Sequence, residues 1–201
     1  MAYRPDSYTG GFQEPVFDSQ STFRHLMDAM ASPGAVMDIA AGARPPVPMG
    51  PAAGALALTL CDHDTPVHLS PAMIAAGVQA WLAFHTGALV TEDRGEAAFA
   101  FFEAGAALPP ISTFSAGTQE YPDRSTTIVI ELPALTGGVA MTLRGPGIAE
   151  TREIAPTGLP PHFGRMWAEN RALFPRGVDL VLAAGRRILC LPRTTGISEG
   201  E

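Results

Sequence analysis

Apolar positions are densest near the C-terminus, where Val178, Leu180, Leu182 and Ala184 share one face of a two-residue period while Val181 and Ala183 make the other face apolar too. Such a segment predicts a strand covered on both sides. Gly185-Arg186 supplies a two-residue turn with glycine first, which suits a primed hairpin, and Ile188, Leu189, Cys190 and Leu191 return as a second apolar strand stopped by Pro192. Two apolar faces need two covering layers, and the rest of the chain offers helices.

Upstream, Phe23, Leu26, Met27 and Met30 recur at helical spacing after Asp18-Ser19, either of which can cap, and Ser32-Pro33-Gly34 ends the run. The spacing predicts a helix packed on that stripe. Residues 35–39 form a short strand candidate, and the proline-rich stretch 44–51 a loop. A second helix, apolar over most of its surface, is predicted from Pro51 to Asp62. Asp64-Thr65-Pro66 turns the chain into a strand over 67–69, and Ser70-Pro71 caps a third helix that carries Met73, Ile74, Val78, Trp81, Leu82 and Phe84 before Gly87 closes it. Strands are predicted over 97–102, 126–132 and 139–143, with Gly137-Gly138 joining the last two as neighbours, and a last helix over 160–174. Short strands interleaved with helices, together with one tight hairpin, imply a three-layer α/β/α sandwich around a mixed sheet. The 201 residues suffice for one core and contain no linker, so a single domain over 1–201 is expected.

Composition narrows the chemistry. All 13 basic residues are arginine, so Schiff-base chemistry, the usual pyridoxal-phosphate site and a Walker A loop lack their lysine. A net charge of −7 with no basic run argues against nucleic acid. The N-terminal stretch MAYRPDSYTGGFQEP has no apolar signal-peptide core and no helix candidate spans a membrane, so a cytoplasmic location is expected. Cys61 and Cys190 lack paired spacing and read as reduced core thiols.

Among titratable groups, Asp62, His63 and Asp64 with His68 and His85 lack metal-ligand spacing, so turn and cap roles are expected and no metal. Ser115 lacks a nucleophile elbow. Arg144-Gly145-Pro146-Gly147 misses the third glycine of a dinucleotide fingerprint, with Glu150 in its place, and reads as a tight turn between two strands. Antiparallel pairing of the closing hairpin brings Arg176 and Asp179 towards Arg193, Thr194 and Thr195 at one sheet end. An Asp179–Arg193 ion pair is the structural expectation there; the functional alternative is an oxyanion pocket suited to phosphate or phosphonate.

The pieces PVFDSQSTFRHLMDAMASPG, LTLCDHDTPVHLS, FHTGA, SAGT, LRGPGIAE and FPRGVDLVLAAGRRILCLPRTT, in that order, resemble the H-subunit family of the bacterial carbon–phosphorus lyase system, over nearly the whole chain. The resemblance implies a dimer-forming relative of pyridoxal-phosphate transferase folds without their cofactor site, working in a core assembly with G, I and J subunits. That assembly couples phosphonate to the ribose of a nucleoside triphosphate, displacing the base, and later cleaves the carbon–phosphorus bond. No catalytic residue and no cofactor is carried over. Two functions follow: a structural and interaction subunit that docks through its apolar helices, or a subunit that itself binds phosphonate or a ribosyl triphosphate through Arg24, Arg144, Arg176 or Arg193, with Thr194 and Thr195 as hydroxyl contacts, and contributes to transfer.

Overall fold

A computed structural model describes residues 8–40 and 42–199. Residues 1–7, the start of the N-terminal stretch MAYRPDSYTGGFQEP, lie outside the described residues. The helices are α1 (Pro15–Ala31), α2 (Pro51–Leu60), α3 (Pro71–Ala75), α4 (Val78–Thr86) and α5 (Phe163–Arg171). The strands are β1 (Val36–Asp38), β2 (Val67–Leu69), β3 (Phe99–Phe102), β4 (Thr127–Glu131), β5 (Met141–Arg144), β6 (Arg152–Ile154), β7 (Asp179–Ala184), β8 (Arg187–Leu191) and β9 (Gly196–Glu199).

The architecture is mixed α/β. A six-stranded sheet has the order β1-β8-β7-β4-β3-β2, with β2, β3, β4 and β7 parallel and β8 antiparallel to both β7 and β1. Alternation along its strands sorts the core into two clusters. Val67, Phe101, Val129, Val181 and Cys190 face α1 to α4. Ala100, Ile128, Leu180, Leu182 and Leu191 face α5 and a second sheet of order β6-β5-β9.

The closing hairpin forms as its pattern dictates. Ala184 pairs with Arg187 across Gly185-Arg186, and Gly185 takes the positive φ (+60°) that a glycine-first primed turn requires. Ser70 caps α3 by accepting the Met73 N–H at 3.3 Å.

Four expectations need correction. α1 starts earlier, with Glu14 as N-cap and Pro15 at its first position; Asp18, expected as a cap, sits in the first turn and accepts the Glu14 N–H at 3.1 Å. α2 stops at Leu60, with Cys61 already extended. The single helix expected from Pro71 to Gly87 is two, because Gly77 adopts a left-handed conformation (φ +90°) and redirects the chain. β5 does not neighbour β4: both edges of β4 are taken, by β3 and β7, so β5 pairs with β6 and with β9, a strand the pattern did not reveal.

α1 also presents a different stripe from the one expected. Thr22, Leu26 and Ala29 are buried against α2, β1 and β8, whereas Phe23 and Met27 remain 49% and 42% exposed. Small side chains on the inward stripe let the helix approach its neighbours closely.

Candidate functional site

At the C-terminal corner the Asp179–Arg193 pair forms, and it occupies the whole arginine. The Arg193 backbone N–H donates to Asp179 Oδ1 at 2.8 Å and its Nε to the same oxygen at 3.1 Å, while Nη2 reaches Asp179 Oδ2. Nη1 donates to the Pro122 carbonyl and Nη2 to Ser125 Oγ, both at 2.6 Å. Both charged side chains are only 14% exposed, so this bidentate contact joins β7, the Pro122–Arg124 turn and the start of the final segment.

Behind it, the Thr195 N–H closes a turn onto the Pro192 carbonyl at 2.8 Å, and the Thr195 carbonyl accepts the buried Trp167 indole N–H at 2.8 Å. Thr195 Oγ1 is buried with no hydrogen-bond partner, and Thr194 is half-buried. Arg176 is exposed and makes no side-chain hydrogen bond or ion pair among the described residues. The hairpin thus joins Asp179 to Arg193 but does not gather Arg176 into that network. Asn170 of α5 secures the same corner: its amide donates to the Val178 carbonyl and accepts the Val178 N–H, both at 2.9 Å, in place of a strand partner.

Arg144-Gly145-Pro146-Gly147 is the turn between β5 and β6 that its composition predicts. Gly145 and Gly147 have φ of +146° and +81°, and a Cβ at Gly147 would lie 2.2 Å from the Ala31 carbonyl, so the turn lies against the end of α1. Arg144 is exposed at the end of β5, opposite Gly196 of β9. Arg171, which the sequence did not single out, lies over Gly196 from the end of α5. Arg24 is exposed on α1.

The remaining titratable groups divide by environment. His63 and Asp64 pair at 3.3 Å in solvent, and the Thr65 hydroxyl beside Asp62 holds that carboxyl below its usual range. His85 packs on Trp81 and Phe84 near the Thr9 carbonyl, and burial lowers the His68 pKa. Ser115 Oγ donates to the Arg124 carbonyl. Burial pushes both cysteine thiols up to about 12, so they remain protonated and unreactive at neutral pH. Among the described residues no group of three or more His, Cys, Asp or Glu is placed to hold a metal ion, and no helix is long and apolar enough to cross a membrane.

A second feature missed in sequence lies at the carboxyl ends of β2, β3 and β4. Ser70 donates to Glu103, and Glu131 accepts the Gly50 N–H at the start of α2. Burial pushes the Glu131 pKa up to about 7, against the Gly50 hydrogen bond and with help from the neighbouring Glu103 charge. Elsewhere, a groove of about 470 Å³ between α5 and the Ile111–Thr113 turn is floored by Leu108, Phe114 and Met166, with Arg165 and Glu169 at its rim.

The most distinctive surface is apolar. Val16, Phe23 and Met27 form one outward stripe of α1 at 77%, 49% and 42% exposure, next to exposed Phe17. The other helices carry Ile74, Phe84 and Leu89 outward or just beyond their ends.

A family model described as bacterial phosphonate metabolism protein (PhnH) matches residues 10–198. The chain belongs to the PhnH family. The resemblance seen in the ordered sequence pieces is therefore borne out. An alpha-D-ribose 1-methylphosphonate 5-triphosphate synthase subunit PhnH of Rhizobium meliloti (strain 1021) is 56% identical over 195 residues, covering 97% of this chain and 98% of the relative. HtxG of Stutzerimonas stutzeri, provisionally described as a C-P lyase subunit protein, is 30% identical over 179 residues, covering 89% of this chain and 85% of its own length. The PhnH match includes α1, the Arg193 corner and the Arg144 turn, so the features above lie within the family's extent.

Proposed function

We propose that this PhnH-family chain is a subunit of the carbon–phosphorus lyase system for organic phosphonate breakdown. It supports, mainly as a structural and interaction subunit, the assembly that forms a ribosyl phosphonate triphosphate from a phosphonate and a nucleoside triphosphate. Two relatives named as subunits, one of them of the triphosphate synthase, support the setting. The observation that carries the role is the outward apolar stripe of α1, Val16, Phe23 and Met27, which keeps about half or more of its side-chain area open to solvent. The chain works as one cytoplasmic domain that pairs with a second copy and joins the G, I and J subunits, with the α1 stripe against one of those subunits. We read its sheet, covered on both faces and lacking any lysine, as the three-layer pyridoxal-phosphate transferase arrangement without a cofactor site.

Co-expression tests this reading. The chain is expected to co-purify with the G, I and J subunits, and the purified chain alone to leave methylphosphonate and ATP unchanged. Elution apart from the other subunits, or turnover by the isolated polypeptide, would overturn it.

A further inference from the structure

Arg144 and Arg171 reach one place from different elements. Arg144 shares the outer face of the small sheet with Thr142, and the register sets Thr142 opposite Ser198 and Arg144 opposite Gly196. Arg171 arrives from the end of α5: a Cβ built on Gly196 would lie 3.5 Å from its Cζ and 3.6 Å from its Nε. The Arg171 guanidinium therefore lies directly against Gly196 on β9. Neither arginine side chain has a hydrogen bond or ion pair among the described residues; Glu153 stands opposite Thr142 on β6 and pairs with neither. Both arginines line one hollow whose described lining holds no carboxylate, so an anion there gains from both charges.

The surroundings indicate which anion. Thr142, Arg144, Arg171 and Ser198 line a hollow of about 270 Å³, and Arg171 also borders a second hollow of about 390 Å³ formed with Pro146, Phe174 and Thr194. The Ser198 hydroxyl donates to the Thr142 carbonyl at 3.4 Å, but two guanidinium forks and the Thr142 hydroxyl still offer more donors than the two oxygens of a carboxylate can accept, and they match the three oxygens of a phosphate-type group. The second hollow gives room for an organic remainder against the Phe174 ring, which is 62% exposed.

We infer that Arg144 and Arg171 form an oxyanion site for a small phosphorylated or phosphonylated molecule whose organic part lies over Phe174. This goes beyond the docking role and does not depend on it. Calorimetric titration of the purified chain with inorganic phosphate, phenylphosphonate and sodium benzoate tests it. Phenylphosphonate is expected to bind saturably and more tightly than inorganic phosphate, and benzoate more weakly than phenylphosphonate. Arg144→Gln and Arg171→Gln should each weaken phenylphosphonate about tenfold, the loss of one charge-assisted contact. Phe174→Ala should remove the advantage of the phenyl group and leave inorganic phosphate unchanged. Both arginines are exposed, so the variants should melt with the parent protein. Absence of saturable phenylphosphonate binding, or binding that survives the double arginine variant, would overturn the assignment while leaving co-purification with other subunits untouched.

Discussion

On its inward stripe α1 buries Thr22, Leu26 and Ala29 against α2, β1 and β8; on the neighbouring stripe Val16, Phe23 and Met27 meet solvent. The C-terminal corner repeats this division with charge in place of apolar area. Arg193 spends its donors on Asp179, Pro122 and Ser125, whereas Arg144 and Arg171 spend none of theirs on the described residues. The same residue types stabilise the fold where their partners lie within the chain, and stay open to solvent where they do not.

The largest expected effect falls on the satisfied side of that division. Asp179→Ala leaves Arg193 partly buried without its carboxylate and should cost about 3 to 5 kcal/mol in denaturant unfolding, against less than about 0.5 kcal/mol for Arg144→Ala. Equal effects would erase the distinction between the two arginines. Leu26→Ala should follow, at about 2 to 4 kcal/mol, because Leu26 is only 5% exposed and its removal opens a cavity between α1 and α2.

Glu131 adds a pH dependence. Its folded pKa lies near 7, above the ordinary 4.5, so the folded chain holds this proton more tightly than the unfolded chain does. Its contribution is fully present below about pH 4.5 and is lost as pH rises towards 7 and above, a difference of up to about 3 kcal/mol. Glu131→Gln should flatten that part of the stability profile, measured by urea denaturation between pH 5 and 8. An unchanged slope would show that Glu131 titrates normally.

Much of the inward side was legible in the sequence. The Gly185-Arg186 turn, the Ser70 cap and the Asp179–Arg193 pair each rest on local chemistry or on the register of a tight hairpin, and both kinds of signal are written in neighbouring residues. The outward side was harder to read. Phe23 and Met27 share the helical period of true core residues, and period alone cannot say which of two adjacent stripes is buried. Gly77 splits α3 from α4 inside a run of apolar residues that reads as one helix. β9 is four residues of weak pattern, and its partner β5 lies far back in the chain. Arg171 gains its place beside Arg144 only through the packing of α5 on β9.

The smallest expected change in stability belongs to the outward stripe of α1, where Phe23→Glu with Met27→Glu should alter unfolding free energy by about 0.5 kcal/mol or less per site. Its effect on assembly should be decisive. Co-purification of this double variant with the other carbon–phosphorus lyase subunits, beside the parent chain, tests the docking role most directly. A folded variant that no longer elutes with its partners is the predicted result, and a variant retained as fully as the parent would contradict the account.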